Sequence, residues 1–96
     1  MTAWVYIVTN CRNGTLYIGM TSDLPRRSFD HRRGVGSEFT QKYGLHRLVY
    51  YVEAHPTMPL AIARKKRLKA WNRAWKVRLI NRDNPEWEDL FDRMLT

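Results

Sequence analysis

The chain has 96 residues, enough for one compact core and too few for two. Its 44% hydrophobic content excludes a disordered chain; its lone cysteine, Cys11, excludes an internal disulfide and cannot build a structural zinc site; no apolar run is long enough to span a membrane. Seventeen Lys and Arg against nine Asp and Glu give +8 at pH 7, a balance that attracts polyanions.

Residues 3–9 (Ala-Trp-Val-Tyr-Ile-Val-Thr) and 15–20 (Thr-Leu-Tyr-Ile-Gly-Met) are rich in β-branched and aromatic side chains, with Asn10-Cys11-Arg12-Asn13-Gly14 between them. They predict a hairpin in which Asn13-Gly14 supplies the positive backbone angles of the connection. Ser22 or Asp23 then caps a helix with Pro25 in its first turn, running to about Arg33, where Gly34-Val35-Gly36 breaks it. A short helix from Glu38 to Tyr43 ends at Gly44, Leu45 to Val52 reads as a third strand, and His55 to Pro59 as a loop. Leu60 to Arg82 holds strong helix formers without Gly or Pro. Leu68, Trp71, Trp75 and Leu79 recur there at spacings of three and four, predicting a buried stripe, and so long a stretch should break somewhere. Pro85 to Leu90, with acids in its first turn, predicts a last helix. Three strands are too few to close a barrel, so the expected fold class is α+β: a small three-stranded antiparallel sheet flanked by helices, forming a single domain over residues 1–96.

The charge is unevenly placed. From Ala54 to Arg82 there is no acid, while Arg64, Lys65, Lys66, Arg67, Lys69, Arg73, Lys76, Arg78 and Arg82 all fall within that stretch. One-signed runs of this length attract nucleic acid, although a solvated face that only confers solubility has the same composition. Met1-Thr2-Ala3-Trp4 lacks the basic and long apolar regions of a signal peptide, so the expectation is a soluble, cytoplasmic, monomeric protein with no membrane association. A different class of function takes Trp71, Trp75 and Trp87 as an exposed aromatic surface for a protein partner, but their spacing suits packing better.

The tripeptides Val5-Tyr6-Ile7 and Tyr17-Ile18-Gly19 lie on the two hairpin strands, and Arg27 and His31 follow four residues apart on one face of the next helix. This order resembles the GIY-YIG nuclease superfamily. Gly36-Ser37-Glu38-Phe39-Thr40, Leu48-Val49-Tyr50-Tyr51, Ala61-Ile62-Ala63-Arg64 and Asn84-Pro85-Glu86-Trp87 extend the likeness to its small stand-alone bacterial branch, the UPF0213-like proteins. The resemblance implies endonuclease-like, divalent-metal phosphodiester hydrolysis on nucleic acid, with DNA the expected substrate and Mg2+ or Mn2+ the cofactor if the site is active. It implies that Tyr6 acts as general base or its relay, Tyr17 positions water or phosphate, Arg27 stabilises developing phosphate charge, and His31 hydrogen-bonds a phosphate oxygen or a tyrosine. Gly19 would permit close backbone approach, and Arg26, Lys65, Lys66, Arg67, Lys69 and Arg73 would contact nucleic acid.

The residue types suit that chemistry independently, since phosphodiester cleavage needs an activated water and cations where charge develops. Arginine is the best fork for phosphate oxygens, and a tyrosine becomes a useful base only beside a cation or metal. The departure is in the helix after the third strand. Where the family carries a metal-binding glutamate, this chain reads Ala63-Arg64-Lys65-Lys66, so an ammonium stands at position 65. Sharing a helix face with Ala61 and Leu68, Lys65 is expected to lean toward the sheet and its tyrosines, where it would repel a divalent ion and attract phosphate. Three accounts follow: a catalytically impaired domain that keeps nucleic-acid binding, replacement of the ligand by Glu53 or Glu38, or tolerance of the lysine because cleavage is weak. No added base-reading motif is present, so sequence specificity should be low.

Overall fold

The computed structural model describes residues 3–34, 38–51 and 55–91. The hairpin forms as β1 (Trp4–Thr9) and β2 (Leu16–Thr21), antiparallel, with Tyr6 opposite Gly19 and Val8 opposite Tyr17. Asn13 takes a φ of 61°, the left-handed angle that its turn needs, whereas Gly14, expected to share it, does not, because one left-handed residue already reverses the chain. The side chain of Asp23 accepts from Arg26 N and caps α1 (Leu24–Arg32), which carries Pro25 in its first turn. Next come α2 (Glu38–Tyr43), ended by Gly44 at φ 65°, and β3 (Arg47–Tyr51), shorter than the predicted strand. Strand order is β2-β1-β3, all antiparallel, so β1 is the centre of a three-stranded α+β sheet.

Alternation along β1 divides the core in two. Val5 and Ile7 point to one face and join Ile18, Ala61, Leu68, Leu79, Ile80 and Trp87. Tyr6 and Val8 point to the other, with Leu24, Leu45, Leu48 and Leu90. The register of β1 against β3 shifts between Ile7 and Val8, with Val49 left over as a bulge. That shift lets Val49 and Tyr50, though consecutive, both enter the first core.

The long basic stretch is two helices, α3 (Met58–Ala70) and α4 (Arg73–Asp83). Thr57 caps the first and Asn72 the second, each side chain accepting a backbone N–H three residues on. The predicted loop 55–59 therefore ends two residues early, and the break falls at Trp71-Asn72. The break also dissolves the predicted single stripe. Leu68 and Leu79 are buried, Trp71 is half-buried, and Trp75 is 50% exposed.

The predicted helix from Pro85 to Leu90 is absent. This segment instead runs along the outer edge of β3: Leu90 N donates to Leu48 O at 2.7 Å, Leu48 N to Asp89 Oδ1, and Arg47 to Trp87 O. Asn84 holds its start by donating from Nδ2 to Val49 O and Glu88 O. Trp87, at φ 55°, is fully buried, its indole N–H donating to Asn81. Burying that indole outweighs the local helix signal, and the edge strand gains a cover. Among the described residues no helix is long and apolar enough to cross a membrane.

Candidate active site

Tyr6 stands in the middle of the central strand, on the face covered by α1, and is 1% exposed. Helix α1 brings Arg27 and His31 to it on successive turns: Arg27 Nε donates to Tyr6 Oη at 3.4 Å, and Oη lies 3.0 Å from His31 Nε2. The ring of Tyr17, half-buried on β2, lies with its centroid 6.2 Å from that of His31. Gly19 faces Tyr6 across the strand pair, and its missing side chain makes the arrangement possible. A Cβ there would fall 2.5 Å from Tyr6 Oη and 2.6 Å from Cζ.

The proton positions follow from counting donors. Arg27 gives Oη a hydrogen, and among the described residues the phenol's own hydrogen then points to His31 Nε2 as acceptor. This requires neutral His31 carrying its proton on Nδ1, a buried atom without a partner; the opposite tautomer would strand the phenol hydrogen as well. The electrostatics agree. Burial first, then the charge of Arg27, lower His31 from 6.5 to about 4, against a weaker opposing pull from Asp30. Burial pushes the Tyr6 phenol above its ordinary 10.0, and Arg27 offsets only part of that. The hydrogen bond to Tyr6 raises Arg27 in turn. At neutral pH the row is guanidinium, phenol and imidazole, with the phenol proton held toward the histidine.

The remaining predicted residues lie elsewhere. Arg26 is exposed on α1, 3.9 Å from Asp30. Lys66, Arg67 and Lys69 are exposed on α3. Arg73 is engaged with the hairpin, donating to Asn13 O and Gly14 O at 2.7 Å each. Lys65 is half-buried on α3, a helix whose Ala61 and Leu68 enter the core on the face away from Tyr6. Helix α3 packs against β2 and β1 on the side to which Val5 and Ile7 point, opposite the side of Tyr6. Glu53 and the side chain of Glu38 lie outside the described residues.

Lys76 belongs to the basic run and is not among the candidate site residues of the sequence. It lines a hollow of about 310 Å³ at the β2 edge with Lys69 and Tyr17, so a cationic edge adjoins the second tyrosine. The seven-residue spacing of Lys69 and Lys76 hints at this, but the helix break between them hides it.

Magnesium and manganese prefer hard oxygen ligands, chiefly carboxylates. The described donors here are two phenols, a neutral imidazole and a guanidinium, and no group of three His, Cys, Asp or Glu among the described residues is placed to hold a metal. These residues do not by themselves fit the ion.

Strand tyrosines backed by a helical arginine and histidine, on a small antiparallel sheet, define a nuclease-like, nucleic-acid-associated class of protein. The chain belongs to the GIY-YIG catalytic domain family, whose profile matches residues 2–78. It is 33% identical over 78 residues to a UPF0213 protein of Staphylococcus saprophyticus, covering 81% of this chain and 93% of that one. It is 35% identical over 71 residues to a UPF0213 protein of Bacillus pumilus, covering 74% and 71%. The solution NMR structure of a UPF0213 protein from Bacillus halodurans superposes with a TM-score of 0.56 at 31% identity, covering 93% of each chain.

Proposed function

We propose that the chain is a monomeric, cytoplasmic DNA-binding domain of nuclease ancestry, whose phosphodiesterase-type site is partly retained and whose cleavage is impaired or absent because Lys65 occupies the family's glutamate position. One domain comprises the whole chain in this reading. The observation that carries it is the row Arg27 to Tyr6 to His31 beneath Gly19.

Arg27, half-buried, is the member of the row that a phosphate would meet, and its planar fork suits two phosphate oxygens. Tyr6 can pass its proton to neutral His31 and take one from a water, the transfer a relay base performs. Two features work against completing the reaction. Tyr6 is enclosed, which keeps water from Oη, and a lysine cannot supply the carboxylate that would fix a metal-bound phosphate. Binding survives these losses, since the cations of α3 need only the phosphate backbone.

The test is nicking of supercoiled DNA with Mg2+ or Mn2+ by the parent and by Lys65→Glu. The expected result is no cleavage by the parent, cleavage by the variant, and its loss again when Tyr6→Phe or Arg27→Ala is added. Cleavage by the parent that needs Tyr6 and Arg27 would overturn the impaired site in favour of an active endonuclease.

A further inference from the structure

On the face of the molecule behind the tyrosine site, Trp71, Trp75, Arg78, Leu79 and Arg82 line an open groove of about 590 Å³. The two indoles meet edge to face at 5.9 Å and 84°, and Trp75 remains 50% exposed. Trp71 is backed by Arg64, whose guanidinium lies 5.4 Å from its ring. Trp71, Trp75 and Leu79 form a contiguous apolar surface rimmed by Arg78 and Arg82, the kind of patch that marks an interaction site.

From this geometry we infer that the groove is a second nucleic-acid site, one that takes an unpaired base of single-stranded nucleic acid against Trp75 while Arg78 holds its phosphate. The inference rests on the nucleic-acid reading above and goes beyond it. Charge complementarity selects the occupant: no acid lies between Ala54 and Arg82, and the first, Asp83, is already paired with Arg82 at 3.2 Å. Another copy of a chain carrying +8 would be repelled from this face, whereas a nucleotide brings a flat π surface and an anion together. A duplex keeps its bases stacked inside and cannot offer one to an indole, so the groove discriminates single strands from double. A strand that passed the β2 edge at Lys69 and Lys76 would have contacts on both faces of the sheet.

The test titrates the full chain with a labelled oligothymidylate and, separately, with a duplex of equal length at low salt, following anisotropy and tryptophan quenching. Trp75→Ala is expected to weaken single-strand binding about tenfold or more, the loss of one stacked base. Trp75→Phe should restore most of it, Arg78→Ala should weaken it by a smaller factor, and duplex affinity should stay at the parental value in both tryptophan variants. Single-strand affinity unchanged in Trp75→Ala, with duplex binding intact, overturns this inference alone. A parent that binds neither form overturns the nucleic-acid reading with it. Sedimentation showing a dimer that Trp75→Ala dissociates assigns the groove to a second copy and equally overturns the inference.

Discussion

His31 shows how much one buried group can record. Its folded value of about 4 lies below the ordinary 6.5, so over that interval the unfolded chain binds a proton that the folded chain excludes. Stability is therefore complete above pH 6.5 and falls as the pH drops toward 4, by about 2 kcal/mol at pH 5. Urea midpoints at pH 7 and pH 5 check this: the parent should lose stability across the interval, and His31→Gln should lose much less. Gly19 makes the complementary case. Gly19→Ala places a methyl 2.5 Å from a hydroxyl that is already enclosed by Arg27 and His31, and overpacking of that kind costs about 1–3 kcal/mol. A thermal melt unchanged by the substitution would mean that Tyr6 can move aside. The members of this row were legible in the sequence because each sits in a recognisable frame, on two neighbouring strands and one helix turn. Their protonation was not, since it depends on burial that only the packed α1 creates.

Between elements, legibility followed the range of the deciding contact. The hairpin, α1 and α2 are decided locally, by alternating apolar residues, by Asp23 as a cap and by Gly44 as a stop, and all three stand where the sequence placed them. The α3–α4 break had a local signal too, since Asn72 is a good N-cap, but without Gly or Pro it could not be positioned. Residues 85–90 misled because Pro85 and the acids after it are sound helix-start signals, while the winning contacts are distant: Leu90 to Leu48, Arg47 to Trp87, and Asn84 to Val49. Asn84 is the hinge of that outcome, buried and donating to two carbonyls. Asn84→Ala removes both of these bonds and the one that its Oδ1 accepts from Glu88 N, and is expected to cost about 2–3 kcal/mol. Limited proteolysis should then cut between residues 85 and 91 well before the sheet unfolds. Cleavage that appears only with global unfolding would show that Trp87 alone anchors the segment.

Across the molecule, the sheet separates two kinds of surface: α1 covers the face of Tyr6, and α3 and α4 cover the other with most of the positive charge. Affinity for duplex DNA should therefore come largely from phosphate contacts that displace counterions, and not from the tyrosine row. Such binding weakens linearly on a logarithmic salt scale, with a slope of about 0.9 for each phosphate neutralised. Lys66 and Arg67 are exposed neighbours on α3, so reversing both to Glu changes the field without disturbing the core. The double variant should lose about tenfold or more of its duplex affinity at low salt, and its salt slope should flatten by about two. Its melting temperature should match the parent, because surface charges of this kind contribute little to stability. Tyr6→Phe should do the reverse, lowering stability by removing the partner of a buried imidazole while leaving the salt slope alone. If Tyr6→Phe also flattened the slope, the phosphates would be held at the tyrosine face, and the division of labour between the two faces would be wrong.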